Sequence, residues 1–292
     1  MPLDRAGLVL AEARAEPHPR RNRRRGRIAL LVVLALVAGG GWAASRILYH
    51  AVQVPMCTIT AAGMTESFDP EQTGNAALIS ALSMQRGLPP RAATIALTTA
   101  YQESKIRNIT FGDLDSLGLF QQRPSQGWGT EKQILDPVYS TNKFYDALVK
   151  FKGYEQADIT EIAQKVQRSA YPEAYRDHEG QGRVLASALT GHSPAGLTCR
   201  LDDPTTIAQP RTVAADLAAQ MGIKGAKAGD GIVTVTAPDQ RHGWAVGHWA
   251  VARAGQYGIT KVEVGERAWE RGDGDASWSA GTPSAAVTIT LG

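Results

Sequence analysis

Glu103-Ser104, followed by Asp115-Ser116-Leu117-Gly118-Leu119-Phe120-Gln121, sets one carboxyl at a helix end before a glycine-turned, glutamine-bearing loop. Pro89-Pro90 opens the helix that carries the acid, since proline suits a first helical turn. Ala93, Ala96, Leu97, Ala100 and Tyr101 recur at helical spacing behind it, and the pattern ends near Lys105. Glu103 therefore falls on the apolar stripe of its helix. Partial burial raises the pKa of a carboxyl, and the negative end of the helix dipole pushes the same way. An acid still protonated near neutral pH suits glycosidic cleavage, in which the leaving oxygen must receive a proton. The competing reading is a Glu103 turned outward at a frayed helix end.

The loop adds its own chemistry. Gly112, Gly118, Gly127 and Gly129 permit main chain to approach a sugar closely. Phe120 offers an apolar face, and the amides of Gln121 and Gln122 can donate to and accept from hydroxyl and acetamido groups. Trp128 either stacks on a sugar ring or caps the loop against the core. An ordinary surface connection is the bland alternative for the whole segment.

Outward from this stretch, Ala76 to Thr198 reads as mostly helical, with Asn75 or a neighbour as an early cap. Further helices are expected around Pro137 to Lys150, Ile159 to Gln167 and His178 to Leu189. Residues 57–199 are thus expected to form an all-α domain. Residues 200–211 contain Asp202-Asp203-Pro204 and Pro210 and read as a linker. Residues 212–292 then read as a small α/β domain of unassigned role, with helices at Val213 to Met221 and Trp244 to Tyr257. Its strands are expected at Ile232 to Thr236, Lys261 to Val264 and Ala286 to Leu291. The overall fold class is α+β.

Toward the N-terminus, residues 1–27 form a basic tail with Arg20, Arg21, Arg23, Arg24, Arg25 and Arg27. Residues 28–48 carry no charge before Arg46, and about 20 apolar residues suffice to cross a bilayer as a helix. The positive-inside rule leaves the tail in the cytoplasm and exports everything after the span, giving a single-pass protein of the cell membrane. A cleaved signal peptide ending near Trp42-Ala43-Ala44-Ser45 is the alternative, and it exports the same remainder. Most of the basic excess behind the net charge of +3 sits in this tail, so no nucleic-acid partner is expected.

Cys57 and Cys199 are the two cysteines, and an even count in an exported chain predicts a disulfide. Two separate buried thiols are the alternative. A bridge would close a loop of roughly 140 residues, worth about 5 kcal/mol on chain-entropy grounds. His242 and His248 lack a helix-face ligand spacing, and Asp273-Gly274-Asp275 lacks the length and distal Glu of a calcium loop. Neither a metal nor a cofactor is expected, and a metal transporter would need polar ligands within several spans. Trp244, Trp249, Trp269 and Trp278 lie in the C-terminal part, where Trp244 and Trp249 read as core.

Glu103-Ser104, the interval to Gly118, and Gly118-Leu119-Phe120-Gln121 resemble the signature of the lysozyme-like lytic transglycosylases: Glu-Ser, a spacer, then Gly-Leu-Met-Gln. Phe120 replaces the usual Met. Ala170-Tyr171 resembles the start of that family's Ala-Tyr-Asn-Ala-Gly segment, which places a tyrosine near the acid, but Pro172-Glu173 interrupts it. The family commonly has Ser at the position of Gly112 and Gly-Ala at Asp115-Ser116. The resemblance covers roughly Leu78 to Leu189 and extends to domains of exported actinobacterial cell-wall proteins. It implies a lysozyme-like domain acting on the β-1,4 link between N-acetylmuramic acid and N-acetylglucosamine in peptidoglycan. Glu103 would be the catalytic acid and base, with Ser104, Ser116, Gly118, Phe120, Gln121, Gln122 and Tyr171 as substrate contacts. One carboxylate suffices for transglycosylation, whereas hydrolysis normally needs two. Asp113 and Asp115 are the candidates for a second in a goose-type lysozyme chemistry, although Asp beside Gly also makes turn hydrogen bonds. The rival class is a catalytically silent wall-binding or scaffold protein with cell-envelope protein partners.

Overall fold

The computed structural model describes residues 31–32, 35–36, 39–42, 54–167, 172–272 and 277–292. Residues Val54–Gly292 form one unit. It opens with a hairpin, β1 (Met56–Ala61) and β2 (Met64–Phe68), turned by Ala62 and Gly63 with φ of 52° and 78°. Two successive positive φ values match the twist of the flanking strands, which is why a two-residue turn holds here. β3 (Leu197–Arg200) returns to pair antiparallel with β1, giving a sheet of order β2-β1-β3. Cys57 and Cys199 stand opposite each other in that pairing and are joined by a disulfide.

Between these strands lie α1 (Pro70–Gln85), α2 (Pro90–Ser104), α3 (Glu131–Ile134), α4 (Pro137–Leu148), α5 (Ile159–Gln167) and α6 (Glu179–Leu189). A 3-10 segment, Pro172–His178, precedes α6. The start of α1 is set by Asp69, not by Asn75: Asp69 and Gln72 form a capping box with Pro70 in the first turn. An unbroken run from Ala76 to Ser83 is buried, so α1 is covered on every side and serves as the central rod of the unit. The helices α2 and α6 cross at Gly182, where any side chain would meet Thr98 Oγ1 at 2.1 Å and the Thr98 backbone nitrogen at 2.9 Å. This close crossing fixes the helix that carries Glu103.

The C-terminal part contains α7 (Pro210–Met221), α8 (Gln240–Ala252), α9 (Ala254–Tyr257) and β4 (Lys227–Gly229) to β9 (Val287–Leu291). Its strands form one antiparallel sheet of order β4-β5-β9-β6-β7-β8, with β5 at Ile232–Val235, β6 at Ile259–Val264, β7 at Arg267–Glu270 and β8 at Ser279–Ala280. Trp244, Trp249, Trp269 and Trp278 are all buried, in one core that is continuous with the helical part. The indole nitrogens of Trp269 and Trp278 donate to the carbonyls of Cys199 and Leu197 at 3.2 and 2.8 Å. The second sheet is thereby tied to β3 of the first.

Two fold expectations are corrected. The segment between the cysteines is not all-α, because its ends form the β2-β1-β3 sheet; the strands are four to six residues long, too short to show against a helical background. Among the described residues no helix is long and apolar enough to cross a membrane, which removes the N-terminal transmembrane helix from the observed fold. Within 28–48 the described helical residues are Leu31, Val32, Ala35, Leu36 and Gly39 to Trp42. Gly39-Gly40-Gly41 lowers the hydropathy of the run. The other positions of 28–48, the basic tail 1–27 and the Asp273-Gly274-Asp275 turn lie outside the described residues.

Candidate functional site

Glu103 occupies the last turn of α2, and the chain then leaves the helix through Lys105 and Ile106 with φ of 55° and 60°. A left-handed conformation at a β-branched residue is strained and needs support from its surroundings. The support comes from α1. Gln72 Nε2 donates to the Lys105 carbonyl and Asn75 Nδ2 to the Ile106 carbonyl, both at 2.9 Å, while the Ile106 side chain is buried. Arg107 closes the turn by pairing with Asp69 and, at 2.5 Å, with Glu71. The backbone beneath the acid is thus clamped to the central helix.

The Glu103 carboxyl itself is half-buried. Tyr175 Oη donates to Oε1 at 2.6 Å, and the Gln167 amide is the further polar group that acts on the same carboxyl. Burial pushes the Glu103 pKa above its usual value, and the bonds from Tyr175 and Gln167 pull in the opposite direction without overcoming it. The result is an acid biased toward its protonated form but still addressed by two donors. Gln167 Nε2 also donates to the Phe120 carbonyl at 2.6 Å, so one amide links the carboxyl to the loop.

The loop is built from within. Ser104 Oγ donates to the carbonyls of Ala100 and Leu119 at 3.1 and 2.8 Å and accepts from the Arg107 backbone N–H, tying helix end to loop. Gly118 has φ of 75°, and a Cβ there would lie 2.8 Å from the Ile134 carbonyl oxygen. Phe120 is fully buried and stacks on Phe144 with ring centroids 4.6 Å apart. Gln122 is buried, with Nε2 on the Ser140 carbonyl at 3.1 Å, and its backbone exchanges two hydrogen bonds with Leu117. Ser116 is also buried, its N–H on the Asp113 carbonyl. Gln121 has a φ of 47° and directs Nε2 to the carbonyls of Phe111 and Gly118, each at 3.3 Å. A Cβ on Gly112 would sit 1.8 Å from Gln121 Oε1 and 2.8 Å from the Ser116 carbonyl oxygen, so a side chain there would force the loop to shift.

Ser104, Ser116, Phe120 and Gln122 therefore shape the loop from beneath, whereas Phe111 and Leu114 project from it, 72% and 75% exposed. Tyr171 lies outside the described residues. Two neighbours of the acid escaped sequence reasoning: Gln167, the last residue of α5, and Tyr175, four residues beyond Tyr171. Their only sequence signal is position in the segment that follows the loop.

Asp115, the candidate for a second carboxylate, is already engaged in this arrangement. The Arg123 guanidinium at 2.8 Å, then the N–H and hydroxyl of Ser125, hold it well below the usual carboxylate range. Behind the acid, Lys105 Nζ lies 3.1 Å from His178 Nε2 and 4.7 Å from the Tyr101 ring centre. Burial and then the Lys105 charge depress the His178 pKa, which favours the neutral imidazole beside the ammonium. No family model and no curated protein matches this chain.

Proposed function

We propose that this protein is a peptidoglycan lytic enzyme that cleaves the β-1,4 bond between N-acetylmuramic acid and N-acetylglucosamine with Glu103 as its one acid and base. The observation that carries the reading is the half-buried Glu103 with a raised pKa, held through Oε1 by Tyr175 beside a loop whose Asp115 is consumed by Arg123. With Oε1 engaged, the other carboxyl oxygen is the one to carry the proton. Glu103 gives that proton to the glycosidic oxygen as the bond from C1 breaks. The resulting carboxylate takes the proton of the muramoyl 6-hydroxyl, whose oxygen bonds C1 and closes a 1,6-anhydro ring. The residue ends as it began, and no water is consumed. The Cys57–Cys199 disulfide supports a place of action outside the reducing cytoplasm.

The test is incubation of the purified protein with sacculi and weighing of the released muropeptides. Anhydro-muropeptides that disappear in Glu103→Gln support transglycosylation, and hydrated products that disappear in the same variant redirect the reading to hydrolysis. Retained sacculus binding with no product in the wild type would leave the silent wall-binding or scaffold reading standing.

A further inference from the structure

A cleft of about 310 Å³ is walled by the loop's end, α4 and α5. Trp128 follows Gly127, whose φ of 80° turns the chain out of the 3-10 turn Pro124–Gln126, and its ring packs half-buried against the core. Phe151, also half-buried, lines the same cleft. Lys143 and Lys150 enter from α4 and the residues just beyond it, and Lys165 from α5. Residues 143 and 147 share one face of α4 and Lys150 follows just beyond its end, so all three line the cleft.

The charge there is unbalanced. Asp146 is the acid of the lining, and Arg86 already holds it at 2.7 Å. Lys165 meets Glu161 only at 3.6 Å between exposed side chains, a pair worth little. Lys143 lies against the Tyr139 ring at 5.4 Å, and Lys150 makes no ion pair among the described residues. Three ammonium groups around two aromatic faces call for an anionic group carried on an apolar or ring-bearing frame. The cleft is also linked to the loop beside the acid: Lys165 and Val166 line it, and the next residue, Gln167, donates to the Phe120 carbonyl at 2.6 Å.

We propose that this cleft receives a carboxylate of the peptide stem borne by the glycan strand, with Trp128 against the stem and Lys143, Lys150 and Lys165 meeting its charge. The proposal rests on the reading of Glu103 as acting on a muramoyl glycan. It makes the substrate class a stem-bearing strand, not a bare polysaccharide.

The experiment uses the full chain carrying Glu103→Gln, so that binding is read without turnover. Sedimentation with intact glycan strands is compared with sedimentation with strands from which an amidase has removed the stems. Tighter binding of stem-bearing strands is expected, by about fivefold for the sum of weakly screened surface contacts. Lys150→Glu with Lys165→Glu should erase that preference while leaving binding to denuded strands unchanged, and a retained thermal midpoint reports that the surface changes are folded. Equal binding of both strands by the parent protein overturns the cleft proposal alone. Binding to neither overturns it together with the glycan reading. Equal displacement of stem-bearing strands by polyphosphate at physiological salt would show a general anion patch and also overturn it.

Discussion

Tyr175 donates its phenolic hydrogen to Glu103 Oε1 at 2.6 Å, joining two residues that are 72 positions apart in the chain. The contact restrains the carboxyl and lowers its proton affinity against the effect of burial. Tyr175→Phe keeps the ring and removes the donor. The acid's pKa should then rise further, so the alkaline limb of the pH–rate profile moves to higher pH. The rate should fall roughly tenfold, the scale of one hydrogen bond to a charged group. A pH profile that keeps its alkaline limb in place would separate Tyr175 from the acid.

Gly118→Ala meets both a left-handed backbone and the Ile134 carbonyl at 2.8 Å, so it should cost more than about 1 kcal/mol in urea denaturation. Gly87→Ala is the control: its φ of 64° is also left-handed, but nothing lies within 4 Å of the added carbon. The loop-borne cleavage activity should suffer in the first variant and not in the second.

His248 is buried, its ring between Trp244 and Trp278, with Nδ1 2.7 Å from the Ala188 carbonyl. Burial pushes its pKa down to about 4. The unfolded chain therefore takes up this proton first as pH falls, and stability drops from pH 6.5 downward until the folded state can also bind it near pH 4. By pH 5 the loss is about 2 kcal/mol. His192 and His178 are lowered as well and act in the same direction. Chemical denaturation at pH 7 and pH 5 should show a shallower loss in His248→Gln, whatever its stability at pH 7.

The disulfide joins two cysteines separated by 142 positions in the sequence. Replacing Cys57 and Cys199 together by Ser should cost 2–5 kcal/mol or about that range, seen as a lower urea midpoint. Mass analysis after alkylation of the native protein should find no modified thiol.

The helix bearing Glu103 is legible because Pro89-Pro90 starts it and its apolar residues follow a 3.6-residue period. The disulfide is legible from an even count of cysteines. The hairpin is not, because β2 exposes most of its residues and lacks a buried alternating face, and β3 finds its partner only across the whole helical segment. The site divides in the same way. Glu103 can be placed from its own helix, but a tyrosine pair at a spacing of four cannot reveal which hydroxyl reaches it. Phe120 and Gln122 look like ligand contacts in one dimension, and the fold spends them on holding the loop. The apolar run after Ile28 fits a membrane span by composition, yet no described helix meets the length and hydropathy required.

The bonds from Trp269 and Trp278 to the carbonyls of β3 impose an order in time. A chain made from its N-terminus presents Glu103, its loop and both cysteines well before those indoles exist, at separations of 70 and 81 residues from their acceptors. Until Trp269 and then Trp278 have emerged, the carbonyls of Cys199 and Leu197 lack these donors on a strand whose other edge pairs with β1. The strand that closes the acid-bearing segment is thus capped last, by side chains the ribosome delivers 70 and 81 residues later.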